Sequence, residues 1–250
     1  MTIALRFERY GFRYSIGDRP AIENLSLEVP PGKVVSVISP QGKGKTTLLR
    51  AAAGLLGEIY QGDVTGSVGD TGDCAAFFDG YVQVTLAVET VREEIGLPLL
   101  ALGLNRAERD RRAAEVCAEL KIEHLYDRRV TDLSGGEEKL VGIAAALLPD
   151  AAVHVFDEPF EQLDVAHVAA LIRALKHRAR LGRLVLVATS SPDTAINIAD
   201  AAIVWDNGWK YIDRPTYAEA DGESAVARFV GDSARLAGVR RFRDAARLAR

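Results

Sequence analysis

The first part of the chain alternates hydrophobic and polar residues. The hydrophobic positions fall at every second residue in two runs: Ile3, Leu5, Phe7 and then Leu25, Leu27, Val29. A period of two is typical of a half-buried strand, because successive side chains of a strand point to opposite faces. A turn-prone stretch at residues 15–20 separates the runs, so we predict that an antiparallel sheet opens the chain.

Three later segments are predominantly apolar: residues 34–38, 152–156 and 184–188. Such runs are typical of strands that are buried on both faces of a parallel sheet. The first run leads through a Gly/Lys-rich loop into a helix-forming segment, Lys45–Ala53, which predicts a strand–loop–helix unit. We therefore predict an α/β fold with an antiparallel β-subdomain at its N-terminal end.

Helical periodicity dominates the middle of the chain. Residues 105–121 carry an apolar stripe and begin with Asn105 and Glu108 at capping-box spacing, and a second helix is predicted from Ser134 to Leu148. These segments predict a helical subdomain at about residues 95–148. Near the end, Asn207-Gly208 between two apolar runs predicts a β-hairpin, because both residues tolerate positive φ.

Composition and charge narrow the functional classes. The 250 residues are 48% hydrophobic and 26% charged, which is ordinary for a folded soluble domain, and the net charge of −4 gives no general attraction to nucleic acid. No nucleic-acid partner is expected. Residues 233–250 differ, because they carry six arginines and one aspartate. This basic tail is either a solvated end or a contact for a partner chain or anionic lipid.

A phosphate-binding loop is predicted between the first buried strand and its helix. The loop consists of Ser39, Pro40, Gln41, Gly42, Lys43, Gly44, Lys45, Thr46 and Thr47. It follows the P-loop pattern GxxxxGK[ST], except that Ser39 replaces the first glycine. In this pattern backbone N–H groups surround phosphates, the lysine reaches the β- and γ-phosphates, and the threonine binds Mg²⁺. The alternative is a glycine-rich surface turn with solvated lysines.

Two further motifs favour the phosphate-binding alternative. Asp157 and Glu158 follow a buried strand, at the sheet edge where ligands of parallel sheets bind. The string Leu133-Ser134-Gly135-Gly136-Glu137 begins a helix, where free N–H groups form a second anion site. Its serine and glutamate have capping-box spacing.

The three motifs together resemble those of the ATP-binding cassette (ABC) ATPases, whose signature is LSGGE and whose motif order is the same. The resemblance covers about residues 2–215 and implies a P-loop nucleotide-binding domain, here placed at residues 2–230 with the basic tail at 231–250. It also implies that two cassettes pair head to tail. Each ATP then lies between the P-loop of one subunit and the signature of the other.

The resemblance assigns roles to individual residues. Lys45 and Thr46 bind phosphate and Mg²⁺, Asp157 assists the metal, and Glu158 is the general base. Ser134, Gly135 and Gly136 contact the γ-phosphate held by the partner subunit, and Asp164 belongs to the loop that joins the two sites. Tyr14 resembles the aromatic residue that stacks on adenine, although a packed strand aromatic explains it equally well.

Four positions depart from the family pattern. Thr189-Ser190-Ser191 stands where the family has a histidine that contacts the γ-phosphate, and Ser190 is the expected substitute. Asp79 stands at the position of a glutamine that links nucleotide to membrane partner, and Gln83 is the nearby candidate. Leu140 replaces an arginine, and Ser39 replaces a glycine. We hypothesise that ATP binds but turns over slowly, with the chain as one half of an unequal pair.

The resemblance implies an ATP-hydrolysing subunit that drives transport with separate membrane subunits. It is expected at the cytoplasmic face of the membrane as a peripheral protein. Segments at 12–14, 90–95 and 160–164 are most similar to energy-coupling-factor importers of vitamins, cobalt or nickel. A soluble assembly or regulatory ATPase of the same family is the alternative. A P-loop kinase or GTPase is disfavoured, because neither uses an LSGGE motif.

Overall fold

A computed structural model describes residues 4–69, 75–79, 88–205 and 207–213. Its strands are β1 (Leu5–Tyr14), β2 (Ile22–Val29), β3 (Val34–Ile38), β4 (Gly62–Gly69), β5 (Ala75–Phe78), β6 (Val153–Asp157), β7 (Leu184–Ala188), β8 (Ala201–Trp205) and β9 (Trp209–Asp213). Its α-helices are α1 (Lys45–Ala52), α2 (Val91–Ala101), α3 (Arg106–Leu120), α4 (Gly135–Leu147), α5 (Val165–Arg180) and α6 (Pro192–Ile198). Gln83 and the basic tail lie outside the described residues.

The described strands form two sheets. The antiparallel sheet has the order β2-β1-β4; the N-terminal alternation predicts β1 and β2, and β4 is a third strand that it does not predict. The six-stranded sheet has the order β5-β6-β7-β3-β8-β9, in which only β9 runs antiparallel to its neighbour. The predicted α/β class and the antiparallel subdomain are therefore confirmed.

The central strands are buried on both faces, which explains their predominantly apolar sequences. In β7, Val185 and Val187 pack into a core shared with the helices α2–α5. Leu184 and Leu186 point to the opposite face and pack with the antiparallel sheet and α1. The sheet thus separates two hydrophobic cores, and both hold the strands in place.

The helices α2, α3 and α4 pack on one another within the first of these cores. Asn105 caps α3 by accepting a hydrogen bond from the Glu108 N–H at 3.0 Å, as predicted. The helical region begins earlier than the predicted position 95, because Thr90 and Glu93 form a capping box that starts α2 at Val91.

The β8–β9 hairpin is also present. Trp205 and Trp209 are opposite one another across it, and their rings meet edge to face at 5.4 Å. The hairpin completes the edge of the sheet beyond the P-loop strand β3.

Parallel strands bring the candidate residues to one edge of the sheet. The carboxyl ends of β3, β6 and β7 are followed by the loop at Ser39, by Asp157 and Glu158, and by Ser190. Because these strands lie in the order β6-β7-β3, the three segments are neighbours in space.

Candidate active site

The P-loop connects the end of β3 with the start of α1. Gly42 and Gly44 have φ values of 76° and 84°, in the left-handed region that favours glycine. A Cβ at Gly44 would lie 2.9 Å from the carbonyl oxygen of Ala21, so close approach also requires glycine there. Lys45 Nζ donates to Ser39 O at 3.2 Å, which folds the lysine back over the loop.

Ser39 occupies the position of the first glycine without disturbing the loop. The residue is buried, and its Oγ donates to the carbonyl oxygen of Pro40 at 3.0 Å. The hydroxyl is therefore satisfied internally, as a buried polar group must be. The serine is compatible with the conformation that the motif predicts.

Thr46 and Asp157 meet at the centre of the site. Thr46 Oγ1 donates to Asp157 Oδ2 at 2.6 Å. Burial raises the pKa of Asp157, while the Thr46 hydrogen bond acts in the opposite direction. A hydroxyl and a carboxylate oxygen are hard ligands of the kind that Mg²⁺ prefers, so the pair fits the predicted metal role.

Glu158 is held in an unusual backbone conformation. Its φ of 46° is sparsely populated by non-glycine residues and persists only where the surroundings enforce it. Here the Glu158 N–H donates to Ala188 O at 2.9 Å, and the Ser190 N–H donates to Glu158 Oε2 at 2.8 Å. Burial raises the pKa of Glu158, which favours a role in proton transfer.

Ser190 lies where the sequence places the missing histidine. Besides its N–H bond to Glu158, its Oγ lies 3.5 Å from Glu161 Oε1. The residue thus contacts the carboxylates through a backbone amide and a short hydroxyl. Neither group extends as far as an imidazole.

The signature helix α4 begins at Gly135 with a complete capping box. Ser134 Oγ accepts from the Glu137 N–H at 3.4 Å, and Glu137 Oε2 accepts from the Ser134 N–H at 2.7 Å. Within the part of the chain that the structure describes, no atom outside this helix's own backbone and the neighbouring residues lies within 4 Å of a Cβ built at Gly135, so an anion can approach the first turn. First-turn N–H groups have no acceptor within the helix and attract anions.

One open cleft of about 1580 Å³ joins most of these residues. Its lining includes all nine P-loop residues from Ser39 to Thr47, together with Asp157, Glu158, Ser190 and Gly135. Ser134, Gly136 and Tyr14 are not among the lining residues, although the first two flank Gly135. The structure therefore brings the phosphate, metal and carboxylate candidates together.

Tyr14 stands beside this cleft. Its hydroxyl lies 3.2 Å from Thr47 Oγ1 and accepts from Arg50 Nη1 at 3.4 Å, while its ring packs edge to face on Phe12 at 4.8 Å. Such contacts are typical of an aromatic residue of a strand that packs within the protein. Here the Tyr14 hydroxyl reaches α1, the helix that follows the P-loop. The adenine-stacking role stays a prediction.

Sequence analysis missed three charged residues that belong to the site. Arg50 lies over the ring of Tyr60 and pairs with Asp79 at 3.8 Å. Lys139 and Glu161 line the same cleft. The signal for Lys139 was present, because it follows Gly135 by four residues and so lies on the same helix face.

Comparison with known proteins agrees with the geometry. The ABC transporter family profile matches residues 22–161. The chain is 34% identical over 79% of its length to the sn-glycerol-3-phosphate import ATP-binding protein UgpC 1 of Rhizobium johnstonii, of which it covers 55%. It is 33% identical over 77% of its length to the Fe(3+) ions import ATP-binding protein FbpC 1 of Pectobacterium atrosepticum, of which it covers 56%. The chain thus spans about half the length of these relatives.

A solved structure shows the same fold. CbiO1 from Clostridium perfringens, part of the ABC transporter complex cbiONQ, superposes with a TM-score of 0.68 at 23% identity, covering 95% of this chain and 98% of that one. At this identity the likeness shows the fold alone. The family profile covers the P-loop, the signature and the Asp157–Glu158 strand together, and the chain therefore belongs to the ABC transporter family of ATP-binding proteins.

Proposed function

We propose that the chain is the ATP-binding and ATP-hydrolysing subunit of an ABC transporter. The observation that carries the proposal is the contact of Thr46 Oγ1 with Asp157 Oδ2, beside Glu158 and within one cleft lined by the P-loop. This arrangement combines a phosphate-binding loop, a pair of metal ligands and a carboxylate of raised pKa. Catalysis of phosphoryl transfer consists mostly of positioning the reactants and stabilising negative charge. The loop and the metal ligands serve these two purposes at the phosphates, and the carboxylate positions the attacking water.

In this mechanism the P-loop amides and the Lys45 ammonium bind the triphosphate. Thr46 and Asp157 would hold Mg²⁺, which when bound neutralises charge on the phosphate oxygens. Glu158 accepts a proton from the attacking water, and the Ser190 N–H fixes one of its carboxylate oxygens. The amides of Gly135 and Gly136 would bind the γ-phosphate of an ATP held by a second cassette. A complete site therefore forms only when two cassettes pair head to tail.

The relatives support import as the direction of transport, with a small nutrient as the transported substrate. Both relatives named above are import ATP-binding proteins, for sn-glycerol 3-phosphate and for ferric ions. We assign this chain to import on that basis, together with an integral membrane subunit and a position at the cytoplasmic face. No helix in the described ranges is long and apolar enough to cross a bilayer. The energy-coupling-factor subtype stays a prediction.

The altered positions support slow turnover at this chain's own site. Ser190 offers a backbone amide and a short hydroxyl where the family pattern has a histidine. Loss of one preorganised donor to transition-state charge costs on the order of 10²–10³ in rate. We propose that the chain binds ATP well, hydrolyses it slowly and serves as the weaker half of an unequal pair.

Nucleotide binding and hydrolysis by two variants test the ATPase proposal. Lys45→Ala should lose ATP affinity, whereas Glu158→Gln should keep ATP affinity and lose hydrolysis by about 100-fold or more. Glu115→Gln, on the exposed surface of α3, is the matched control and should behave as the wild type. Full ATPase activity in Glu158→Gln would contradict the assignment.

Co-purification tests the transporter proposal. A tagged chain solubilised from membranes in mild detergent should retain an integral membrane protein and release it after a chaotropic wash. Recovery with soluble proteins alone would contradict a transport role and favour the assembly or regulatory alternative.

A further inference from the structure

Two carboxylates are adjacent on one face of the central sheet, and the proposed mechanism uses only one of them. Asp79 and Asp157 directly follow Phe78 and Phe156, which are paired in register on the neighbouring parallel strands β5 and β6. Neighbouring strands lie about 4.8 Å apart. Phe78 and Phe156 belong to the core on the helical side of the sheet. Because successive side chains alternate between faces, the two acids lie on the opposite face, where α1 packs.

The helix α1 provides one partner for each carboxylate. Thr46 and Arg50 are four residues apart and therefore lie on the same face of this helix. Thr46 Oγ1 donates to Asp157 Oδ2 at 2.6 Å, and Arg50 Nη2 lies 3.8 Å from Asp79 Oδ2. Arg50 and Asp79 both line the nucleotide cleft. The carboxylate beside the proposed metal ligand is thus paired with a cation of the helix that follows the P-loop.

Two tyrosines fix the Arg50 side chain. Its guanidinium carbon lies 4.0 Å from the centroid of the Tyr60 ring, and the Tyr60 hydroxyl donates to Asp79 Oδ2 at 3.5 Å. Arg50 Nη1 donates to the Tyr14 hydroxyl at 3.4 Å. The side chains of Arg50 and Asp79 are 22% and 31% exposed, so solvent screens their charges less than those of a surface ion pair. Arg50, Tyr60 and Asp79 therefore form a closed set of contacts in the wall of the cleft.

An unpaired carboxylate at position 79 would oppose nucleotide binding. A triphosphate carries several negative charges, and like charges repel strongly across a partly desolvated cleft. The same cleft already contains the carboxylates of Asp157 and Glu158. A cation that offsets the charge of Asp79 reduces this repulsion.

We propose that Arg50 is a positioning residue of the nucleotide site: it holds the Asp79 carboxylate against Tyr60 and offsets its charge, so that Asp79 does not repel the bound triphosphate. The family pattern has a neutral glutamine at position 79, and the pairing with Arg50 makes a charged residue compatible with the site. The effect on ATP rests on the proposed function, whereas the contact between Arg50 and Asp79 does not.

ATP binding without metal tests the positioning role separately from catalysis. A fluorescence titration with mant-labelled ATP in EDTA measures the Kd in the absence of Mg²⁺. Arg50→Gln should raise the Kd by about tenfold, because it leaves the Asp79 charge unpaired beside the phosphates. Arg50→Lys, which keeps the charge, should stay within about threefold of the wild type. Arg173→Gln, at an exposed position of α5 outside the cleft lining, is the matched control and should leave the Kd unchanged.

Removal of the Asp79 charge distinguishes positioning from direct contact with the nucleotide. Asp79→Asn alone should bind ATP at least as tightly as the wild type. Added to Arg50→Gln, it should restore the Kd to within about threefold of the wild-type value, because no unpaired carboxylate is left at position 79. Without this rescue, Arg50 acts on the phosphates directly and the proposal is overturned. Weaker ATP binding by Asp79→Asn alone would also overturn it, because the Asp79 charge would then support binding.

A double-mutant cycle on thermal unfolding, without nucleotide, tests the ion pair itself. Asp79→Asn should lower the Tm more in the wild type than in Arg50→Gln, with a difference of about 2 °C, because the pair stabilises the fold only while both charges are present. Equal shifts in the two backgrounds would show that the two side chains do not interact and would overturn the proposal.

The outcomes separate this inference from the proposed function. If the wild type binds ATP and Arg50→Gln binds it equally well, the positioning role fails while ATP binding stands. If the wild type binds no ATP, with or without Mg²⁺, the proposed function and the positioning role fail together. The unfolding cycle then still decides whether Arg50 and Asp79 are paired.

Discussion

Glu158, the proposed general base, illustrates how much of the candidate site depends on single backbone conformations. Glu158 has positive φ, and its position is fixed by Ala188 and Ser190 at the end of the neighbouring strand β7. Gly42 and Gly44 have positive φ in the P-loop. These residues are suited to binding a charged ligand because the surrounding strands, and not the ligand, hold them in place.

Gly44→Ala should damage both stability and nucleotide binding. The new Cβ would meet Ala21 O at 2.9 Å at a φ of 84°, so unfolding free energy should fall by about 1–3 kcal/mol and ATP affinity should fall with it. Gly66→Ala, in β4 and also at positive φ, is the control: it should lose stability but keep ATP affinity in the folded fraction. Urea unfolding and nucleotide titration measure the two effects. Wild-type ATP affinity in Gly44→Ala would contradict the loop's role.

Ser190→His should accelerate hydrolysis. Ser190 is exposed, lines the cleft and contacts Glu158. An imidazole at this position would add a hydrogen-bond donor for the negative charge that develops on the γ-phosphate in the transition state. We expect kcat to rise by about tenfold or more. Ser67→His, on β4 away from the cleft, is the control. A kcat that stays at the wild-type value would show that the slow step lies elsewhere.

At the scale of elements, the signature helix shows where sequence reasoning is reliable. Ser134 and Glu137 predict the capping box, and α4 begins there, because capping is a local interaction. The helix α5 was not predicted, although its buried residues, such as Leu171 and Leu175, recur at helical spacing. The helix α2 was predicted only as the start of a helical region near residue 95, since it contains Gly96 and Pro98, both poor helix formers.

Ser134→Ala should destabilise the start of α4. Loss of an N-cap hydroxyl costs about 1 kcal/mol of unfolding free energy. Thr131→Ala, an exposed neighbour outside the helix, is the control and should change stability little. Chemical denaturation measures both. If Ser134→Ala leaves the free energy of unfolding unchanged, the capping box does not stabilise this helix.

Glu137 should make stability depend on pH in the acid range. The Ser134 N–H and hydroxyl, followed by Arg128, lower its pKa, so its contribution is complete above the unfolded pKa of about 4.3. That contribution is lost as pH falls through the lowered folded pKa. Glu137→Gln should therefore lose less stability than the wild type between about pH 5 and pH 3. The prediction is contradicted if the free energy of unfolding, measured by chemical denaturation, falls equally in the two proteins between about pH 5 and pH 3.

At the scale of the whole molecule, the fold brings distant segments to one edge of the sheet. The apolar runs predict β3, β6 and β7, but the order β5-β6-β7-β3-β8-β9 depends on long-range pairing that no local pattern contains. That order places Asp157 and Ser190 beside the P-loop and creates the contacts of Glu158. The motifs were therefore readable from the sequence, whereas Lys139, Arg50 and the backbone of Glu158 required the structure.

Complementation between two inactive variants tests most directly whether P-loop and signature act on one ATP from opposite subunits. Lys45→Ala removes the P-loop cation, and Gly135→Asp places a negative charge on the open first turn of α4. Each variant alone should be inactive. An equal mixture should regain ATP hydrolysis, because a mixed pair contains one intact P-loop facing one intact signature. A mixture as inactive as either variant, under conditions where the wild type hydrolyses ATP, would contradict the shared site.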